Sequence, residues 1–320
     1  MKLSLVVPCY NEEDNVELFY QEVKRCFQDK ISEYEVIFVN DGSQDNTMKK
    51  LKEIYKNREK DNVKVIGFSR NFGKEAAIYA GLKNAQGEYT AIIDADLQQR
   101  PEVVLSMVEI LEKEESYDCV AAFQEKRNEG VVLSFFKRAF YRIINMVADT
   151  KFVSGASDFR CFRQNMRSAI ISMSEYHRFS KGIFSWVGFE TKYIPYKAEQ
   201  RNSGTSKWSF RKLYKYGMDG ILSFSIAPLK LATYVGTICA FLALVYMFIV
   251  FLQKLMFGIN VPGHATVVTL ILFMGGTQLF FLGILGEYIS KMYIQEKNRP
   301  IYITKETFGI AKQEEEQRKE

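Results

Sequence analysis

The chain has 320 residues, 47% of them apolar, a net charge of +5, 25 phenylalanines and 18 tyrosines, which exceeds one average domain and supports a sizeable core. Its five cysteines (Cys9, Cys26, Cys119, Cys161 and Cys239) are odd in number, scattered and without metal-ligand spacing. That pattern excludes a disulfide framework and points to free thiols in a reducing compartment. The mildly basic, aromatic-rich balance suits nucleic acid or an anionic membrane surface equally, so the position of the charges must decide.

The first residues, Met1-Lys2-Leu3-Ser4, run straight into a predicted strand over Leu3 to Pro8, with no pattern of a cleavable signal peptide. Cys9-Tyr10-Asn11-Glu12-Glu13 follows, and then Val16, Phe19, Tyr20, Val23 and Phe27 keep helical spacing. A second strand over Tyr34 to Asn40 ends in Asp41-Gly42-Ser43, and Asp45 is placed to cap a helix carrying Met48, Leu51, Ile54 and Tyr55. A third strand, Val63 to Phe68, leads through Ser69-Arg70-Asn71-Phe72-Gly73-Lys74 into an Ala-rich helix. After Gly87 a fourth strand runs from Tyr89 to Asp94, and Pro101 starts the next helix.

Strands alternating with helices predict an α/β fold with a mostly parallel sheet. Ligands of such sheets bind beyond the carboxyl ends of the strands. Tyr10, Asn11, Glu12, Asp41, Arg70, Asp94 and Asp96 all fall at that rim. Residues two apart on an extended backbone project to one side, so Asp94, Asp96 and Gln98 are expected to converge on one point. Several oxygens at one point suit a hard divalent cation that keeps other positions for substrate phosphates. A solvated acidic turn is the plain alternative for an isolated Asp-x-Asp. Two nucleotide motifs are excluded: no Gly-x-Gly-x-x-Gly follows the first strand. In Gly67-Phe68-Ser69-Arg70-Asn71-Phe72-Gly73-Lys74 the glycines are one residue too far apart for a P-loop, with Glu75 in place of its hydroxyl residue.

Beyond Tyr117 we expect a strand over Cys119 to Phe123 and a helix with basic residues on one side over Ser134 to Asp149. A polar turn is expected at Gly155-Ala156-Ser157-Asp158-Phe159-Arg160, then another strand over Phe189 to Tyr196. Arg201 to Trp208 is a basic, flexible loop. Ser209 to Ile226 mixes Arg211, Lys212 and Lys215 with large apolar residues, the composition of an interfacial helix. Leu231 to Gln253 and Ala265 to Gly286 hold no charged residue, and each is long enough to cross roughly 30 Å of hydrocarbon. Arg211, Lys212, Lys215 and Lys230 precede the first span and Lys291, Lys297 and Arg299 follow the second, with Lys254 alone between them. Both termini are therefore expected in the cytoplasm. The two histidines, His177 and His264, have no second ligand at metal spacing and are read as structural. The tail from Gln313 has disorder-like composition.

With these pieces placed, the chain resembles the family 2 inverting glycosyltransferases of GT-A fold. Within them it is similar to the polyprenyl-phosphate glycosyltransferases related to dolichyl-phosphate mannose synthase, and to their bacterial branch that glycosylates undecaprenyl phosphate, which carries two C-terminal spans. The residues that carry the resemblance are Val7-Pro8-Cys9-Tyr10-Asn11-Glu12, Val39-Asn40-Asp41-Gly42-Ser43, Arg70-Asn71-Phe72-Gly73-Lys74, Asp94-Ala95-Asp96-Leu97-Gln98, Ser157-Asp158-Phe159-Arg160 and Arg201-Asn202-Ser203-Gly204-Thr205-Ser206-Lys207. It implies inverting transfer of one sugar from a UDP- or GDP-linked donor to polyprenyl phosphate at the cytoplasmic face of the plasma (inner) membrane. Pro8, Tyr10, Glu12 and Asp41 would hold the nucleoside, with Arg70 in the same nucleotide-sugar rim. Asp94, Asp96 and Gln98 would hold Mg²⁺ or Mn²⁺.

By the same resemblance Asp158 would lie beside the reacting centre, and Arg201 and Lys207 would contact the diphosphate or the lipid phosphate. The sequence departs from the family at Gln99-Arg100-Pro101, where an acidic residue and a double proline are usual. It departs again at Gln124, where an arginine is frequent, leaving Arg127 as the nearer candidate. The implied layout is a catalytic domain over 1–208, an interfacial helix over 209–228, two membrane helices over 229–295 and a cytoplasmic tail over 296–320. Expected partners are a nucleotide sugar, a polyprenyl phosphate lipid and the membrane, with homo-oligomerisation left open; one lipid phosphate accounts for the basic residues without nucleic acid. Two other readings remain at this point. One is a processive polysaccharide synthase, against which the absence of a Gln-x-x-Arg-Trp motif speaks; the other is a catalytically silent membrane scaffold, against which the intact acidic motif speaks.

Overall fold

The computed structural model describes residues 2–28, 30, 31, 33–57, 62–124, 145, 156–196, 225, 227–257 and 263–310. The first half alternates as expected: β1 (Leu3–Cys9), α1 (Val16–Phe27), β2 (Tyr34–Asn40), α2 (Thr47–Asn57), β3 (Asn62–Phe68), α3 (Lys74–Asn84), β4 (Tyr89–Ile92) and α4 (Pro101–Lys113). β5 (Cys119–Gln124), β6 (Ala156–Arg163), α5 (Gln164–Ser172), α6 (Ser180–Trp186) and β7 (Thr191–Tyr196) come next. Two long helices, α7 (Ala227–Phe257) and α8 (His264–Glu296), precede a last strand, β8 (Thr304–Phe308).

The strands form one eight-stranded sheet in the order β7-β5-β6-β4-β1-β2-β3-β8. β1 pairs in parallel with β2 and β4, β2 with β3 and β5 with β7, whereas β6 and β8 run antiparallel to their neighbours. β1 and β2 are buried almost throughout, as befits central strands covered on both faces. Phe19 and Val23 of α1, Val104 and Leu111 of α4 and Phe38 of β2 pack on one face of the sheet, while Ala76, Ala77 and Ala80 of α3 lie with Ile37 and Val39 on the other. Small residues let α3 approach closely: a Cβ on Gly81 would meet Val6 Cγ1 at 2.2 Å.

Three expectations change. The predicted turn around Asp158 is part of β6, where Phe159 and Cys161 are buried and Arg160 stacks its guanidinium 3.7 Å from the Phe184 ring centroid; the polar letters hid a strand because its charged residue is paid back by an aromatic face. The fourth strand ends at Ile92, before Asp94. Residues 304–308 of the expected tail pair with β3 (Val65 with Phe308, Gly67 with Glu306) and so belong to the sheet. Their exposed pattern is that of an edge strand, which carries no long apolar run for a sequence reader to see.

α7 and α8 contain apolar stretches of 27 and 28 residues, long enough to cross a membrane, with none of the apolar window buried inside the protein. The predicted helix over 134–149, the interfacial helix over 209–226 and the loop carrying Arg201 and Lys207 lie outside the described residues, Asn145 and Ser225 excepted, as does Arg127.

Candidate active site

The rim beyond β1, β2, β3 and β4 is knitted together by short polar links. Asn11, at φ 53°, receives its side-chain bond from the Gln44 N–H and donates its own N–H to Ser43 Oγ. The Glu12 N–H donates to Thr47 Oγ1 at 2.8 Å, and Glu12 Oε2 accepts from Asn15 Nδ2 at 2.6 Å. Asp45 Oδ1 accepts the Thr47 N–H, as expected of a residue at the start of α2. Pro8 sits in β1 opposite Val39, and Tyr10 follows at the strand's end.

Asp41, buried at the end of β2, accepts the N–H groups of Phe72 and Gly73 at 2.6 and 2.9 Å. Burial raises its pKa, and those two N–H bonds act in the opposite direction. The carboxylate thus fastens the end of β2 to the loop carrying Arg70, which stacks over Phe72 at 4.4 Å. Only glycine fits at position 42: its φ is +60° and a Cβ would lie 2.3 Å from the Arg70 carbonyl carbon.

Past Ile92 the backbone turns, and Leu97 takes φ 58°, so the two-apart argument that aligned Asp94, Asp96 and Gln98 does not describe the motif. Asp96 Oδ1 accepts the Gln98 N–H at 3.2 Å, closing a local turn. The amide that reaches Asp94 is Gln99, whose Oε1 accepts the Asp94 N–H at 3.0 Å. Gln99 is buried.

The central contact is one that the motif reading did not identify. Lys74, the first residue of α3, places Nζ 2.6 Å from Asp94 Oδ1 and 3.5 Å from Asp158 Oδ2. Desolvation works against its charge, but the Asp94 and Asp158 carboxylates outweigh it and raise its pKa. Nearly half of the Lys74 side chain is open to solvent, so this pairing is screened and serves position more than stability.

Asp158 is partly buried; burial opposes its charge, and Lys74, Lys181 and Arg160 together hold its pKa below the usual carboxylate value. Its Oδ1 is buried with no hydrogen-bond partner among the described residues. Beside it Glu75 accepts from both the Ser180 N–H (3.0 Å) and the Ser180 hydroxyl. Desolvation and the Asp158 charge push the Glu75 pKa up to about 7, against the Ser180 bonds and Lys74. Tyr196, at the end of β7, meets the ring of Phe159, next to Asp158, edge-on at 5.7 Å, and its hydroxyl pKa is raised by burial and then by the charges of Asp94 and Asp96.

Asp94, Asp96 and Asp158 offer only hard oxygen donors, one of them a buried oxygen with no hydrogen-bond partner among the described residues, and the cluster already accommodates a positive charge at Lys74. This donor set fits Mg²⁺ or Mn²⁺ shared with substrate phosphates. A different trio, Glu22, Cys26 and Glu102, also lies within ligand distance among the described residues; there Arg25 supplies the positive charge, 2.6 Å from Glu22 and 3.1 Å from Glu102.

Of the residues the sequence singled out, Asp94 and Asp158 meet through Lys74, and Asp41 meets the Arg70 loop. Lys74, Glu75, Gln99, Ser180, Lys181 and Tyr196 were not among the expected site residues. Lys74 had a signal, its place inside the Arg70-to-Lys74 motif. Ser180 and Tyr196 had none, because they reach the site only through the folding of distant elements.

A mostly parallel sheet with an acidic cluster beyond its strand ends is the architecture of a GT-A fold. Residues 4–170 match the glycosyl transferase family 2, and residues 227–292 match the GtrB C-terminal hairpin. The chain belongs to glycosyl transferase family 2. It is 41% identical over 304 residues to the CsbB protein of Bacillus subtilis (strain 168), covering 95% of this chain and 91% of that one. It is 37% identical over 309 residues to the bactoprenol glucosyl transferase of Shigella phage SfII, covering 96% and 98%. It is also 37% identical over 307 residues to the prophage bactoprenol glucosyl transferase homolog of Escherichia coli (strain K12), covering 95% and 99%. Among solved structures, a glucosyl-3-phosphoglycerate synthase from Mycobacterium tuberculosis superposes with a TM-score of 0.49 at 17% identity, over 69% of this chain and 76% of that one.

Proposed function

We propose that the protein transfers a single sugar from a nucleotide sugar to the phosphate of a polyprenyl lipid, with undecaprenyl phosphate as the acceptor, at the cytoplasmic face of the plasma membrane. The observation that carries this reading is the union, in one chain, of a family 2 site in which Lys74 bridges Asp94 and Asp158 with two membrane-length helices matching the GtrB hairpin. The full-length similarity to bactoprenol glucosyl transferases supports the same acceptor class.

In this reading Asp94 and Asp96, with Gln98 as a third candidate, hold Mg²⁺ or Mn²⁺. Bound there, the ion would neutralise charge developing on the departing diphosphate. Pro8, Tyr10, Glu12 and Asp41 form the nucleoside side of the cleft, with Arg70 on its loop and Arg127 a further phosphate contact. Asp41 has both oxygens occupied by the Phe72 and Gly73 amides, yet each carboxylate oxygen has a second lone pair for a base N–H. Arg201 and Lys207 are assigned to the diphosphate or the lipid phosphate.

Asp158 orients cations around these phosphates. No general base is required, because a phosphate monoester with its second pKa near about 6 is mostly ionised at neutral pH. Its oxygen attacks the anomeric carbon opposite the departing diphosphate, and the configuration inverts.

The test is to incubate purified full-length protein in vesicles containing undecaprenyl phosphate with a panel of UDP- and GDP-sugars and Mn²⁺ or Mg²⁺. A sugar-phosphoryl-undecaprenol product is expected from one donor. Polymer formation would favour a processive synthase, and no turnover with any donor would favour a silent scaffold.

A further inference from the structure

α6 begins at Ser180, 22 residues after Asp158, and nothing in its sequence marks it as part of a reaction centre. The structure nevertheless fastens its first residue to the catalytic rim by a single oxygen. Glu75 Oε2 accepts both the backbone N–H of Ser180, at 3.0 Å, and the Ser180 hydroxyl. Glu75 directly follows Lys74, so the oxygen that holds α6 and the ammonium that bridges Asp94 and Asp158 belong to consecutive residues at the start of α3. The residue after Ser180 is Lys181, whose charge acts on Asp158. Elsewhere α6 is anchored by apolar burial, with Ile183 and Phe184 in the core under α3 and β6. Apolar packing alone leaves the polar first turn free to shift, since dispersion contacts have little directionality.

We propose that Glu75 is a positioning residue for the acceptor. By clamping Ser180 it fixes the start of α6 and with it the backbone origin of Lys181, the next residue, which joins Lys74 as a second cation for the lipid phosphate. The proposal rests on reading the site as a polyprenyl-phosphate glycosyltransferase centre, and it adds two acceptor contacts to the Arg201 and Lys207 assigned above. Two like-charged phosphates must approach within one covalent step of each other, so the site needs several cations held at fixed separations. Lysine is a compact charge on a flexible stem, and a fixed backbone origin is what makes its position definite. Glu75 itself touches neither phosphate; it acts through Ser180 and Lys181.

The experiment uses the full-length protein in vesicles, with undecaprenyl phosphate and the donor that the UDP- and GDP-sugar panel identifies as substrates, the matching nucleoside diphosphate with Mn²⁺ as the binding probe, and hydrogen exchange of the 179–187 amides as a readout that needs no turnover. Glu75→Leu keeps the size and removes the acceptor; Glu75→Gln keeps a carbonyl oxygen able to take both Ser180 bonds. We expect Glu75→Leu to raise KM for undecaprenyl phosphate about tenfold, the scale of losing a strong polar bond. Affinity for that nucleoside diphosphate with Mn²⁺ should stay within about twofold, and exchange at 179–187 should speed up. Glu75→Gln should restore all three values, Lys181→Met should reproduce the KM effect, and Ser180→Ala should add nothing to Glu75→Leu.

Unchanged exchange and acceptor KM in Glu75→Leu overturn the proposal. So does a Gln variant as impaired as the Leu one, since charge rather than the clamp would then matter. If the parent protein transfers no sugar, the functional reading fails by itself, while faster exchange in Glu75→Leu with recovery in Glu75→Gln still establishes the clamp; unaltered exchange refutes it.

Discussion

At the scale of single residues, the site is a set of charges whose states are set by their neighbours. Asp96→Ala removes a proposed ligand at a turn outside the core, so turnover should fall by about a thousandfold or more, as for loss of a metal's charge stabilisation. The thermal midpoint should stay near that of the parent; chelator should abolish parent activity, and Mn²⁺ should restore it. Full activity in chelator would sink the metal assignment. Asp158 is held ionised by Lys74, Lys181 and Arg160 despite its burial, which suits an orienting carboxylate. Asp158→Asn should lower kcat yet leave the rise of rate with pH through about 6, because that rise belongs to the acceptor phosphate. Disappearance or displacement of the rise would make Asp158 the proton acceptor.

Glu75 titrates in the opposite sense. Its folded pKa of about 7 lies above the ordinary 4.5, so between those values the folded state binds more protons than the unfolded one. Stability contributed through Glu75 therefore falls as pH rises from 4.5 towards 7. Chemical denaturation across that window should show the parent losing stability relative to Glu75→Gln, and parallel curves would refute the shift.

At the scale of elements, β8 is the piece whose importance the sequence concealed. After α8 the chain returns to the catalytic sheet: Tyr302 stacks on Phe68 at 4.9 Å and 19°, Ile303 O accepts the Ser69 N–H at 2.9 Å, and Lys52 pairs with Glu306 at 2.7 Å. Gln295, near the end of α8, accepts the Tyr176 N–H at 2.8 Å. The exit of α8 is thereby bonded to the loop before Arg70 and to the loop before α6. Tyr302→Ala should destabilise the catalytic domain by about 2 kcal/mol through lost aromatic packing, read as a lower denaturation midpoint. The same variant should weaken nucleotide binding more than a change on an exposed turn does. Wild-type stability and affinity would show that β8 merely decorates the edge.

At the scale of the whole molecule, charge on either side of the apolar helices sets orientation. Lys230 lies in the first turn of α7, and Lys291, Lys297 and Arg299 lie at the end of α8 or beyond it, so a membrane crossed by both helices would leave the catalytic sheet and β8 on one side, as their pairing requires. A reporter fused after Gly258 should be found outside the cell and one after Arg299 inside; the reverse pattern would defeat the charge argument. The strand–helix alternation, the acidic motif and the two uncharged spans were legible directly because each is a local property: periodicity, residue type or run length within one segment. The contacts among Lys74, Asp94 and Asp158, the bond of Gln99 to the Asp94 N–H, the Glu75–Ser180 clamp and the return of β8 to the sheet were not. Each joins residues distant in sequence or depends on a turn such as that at Leu97, and a single sequence carries no signal for which distant segments pair. Local chemistry could therefore be read before folding, whereas the distances that turn separate charges into one site exist only once the sheet has brought its strand ends together.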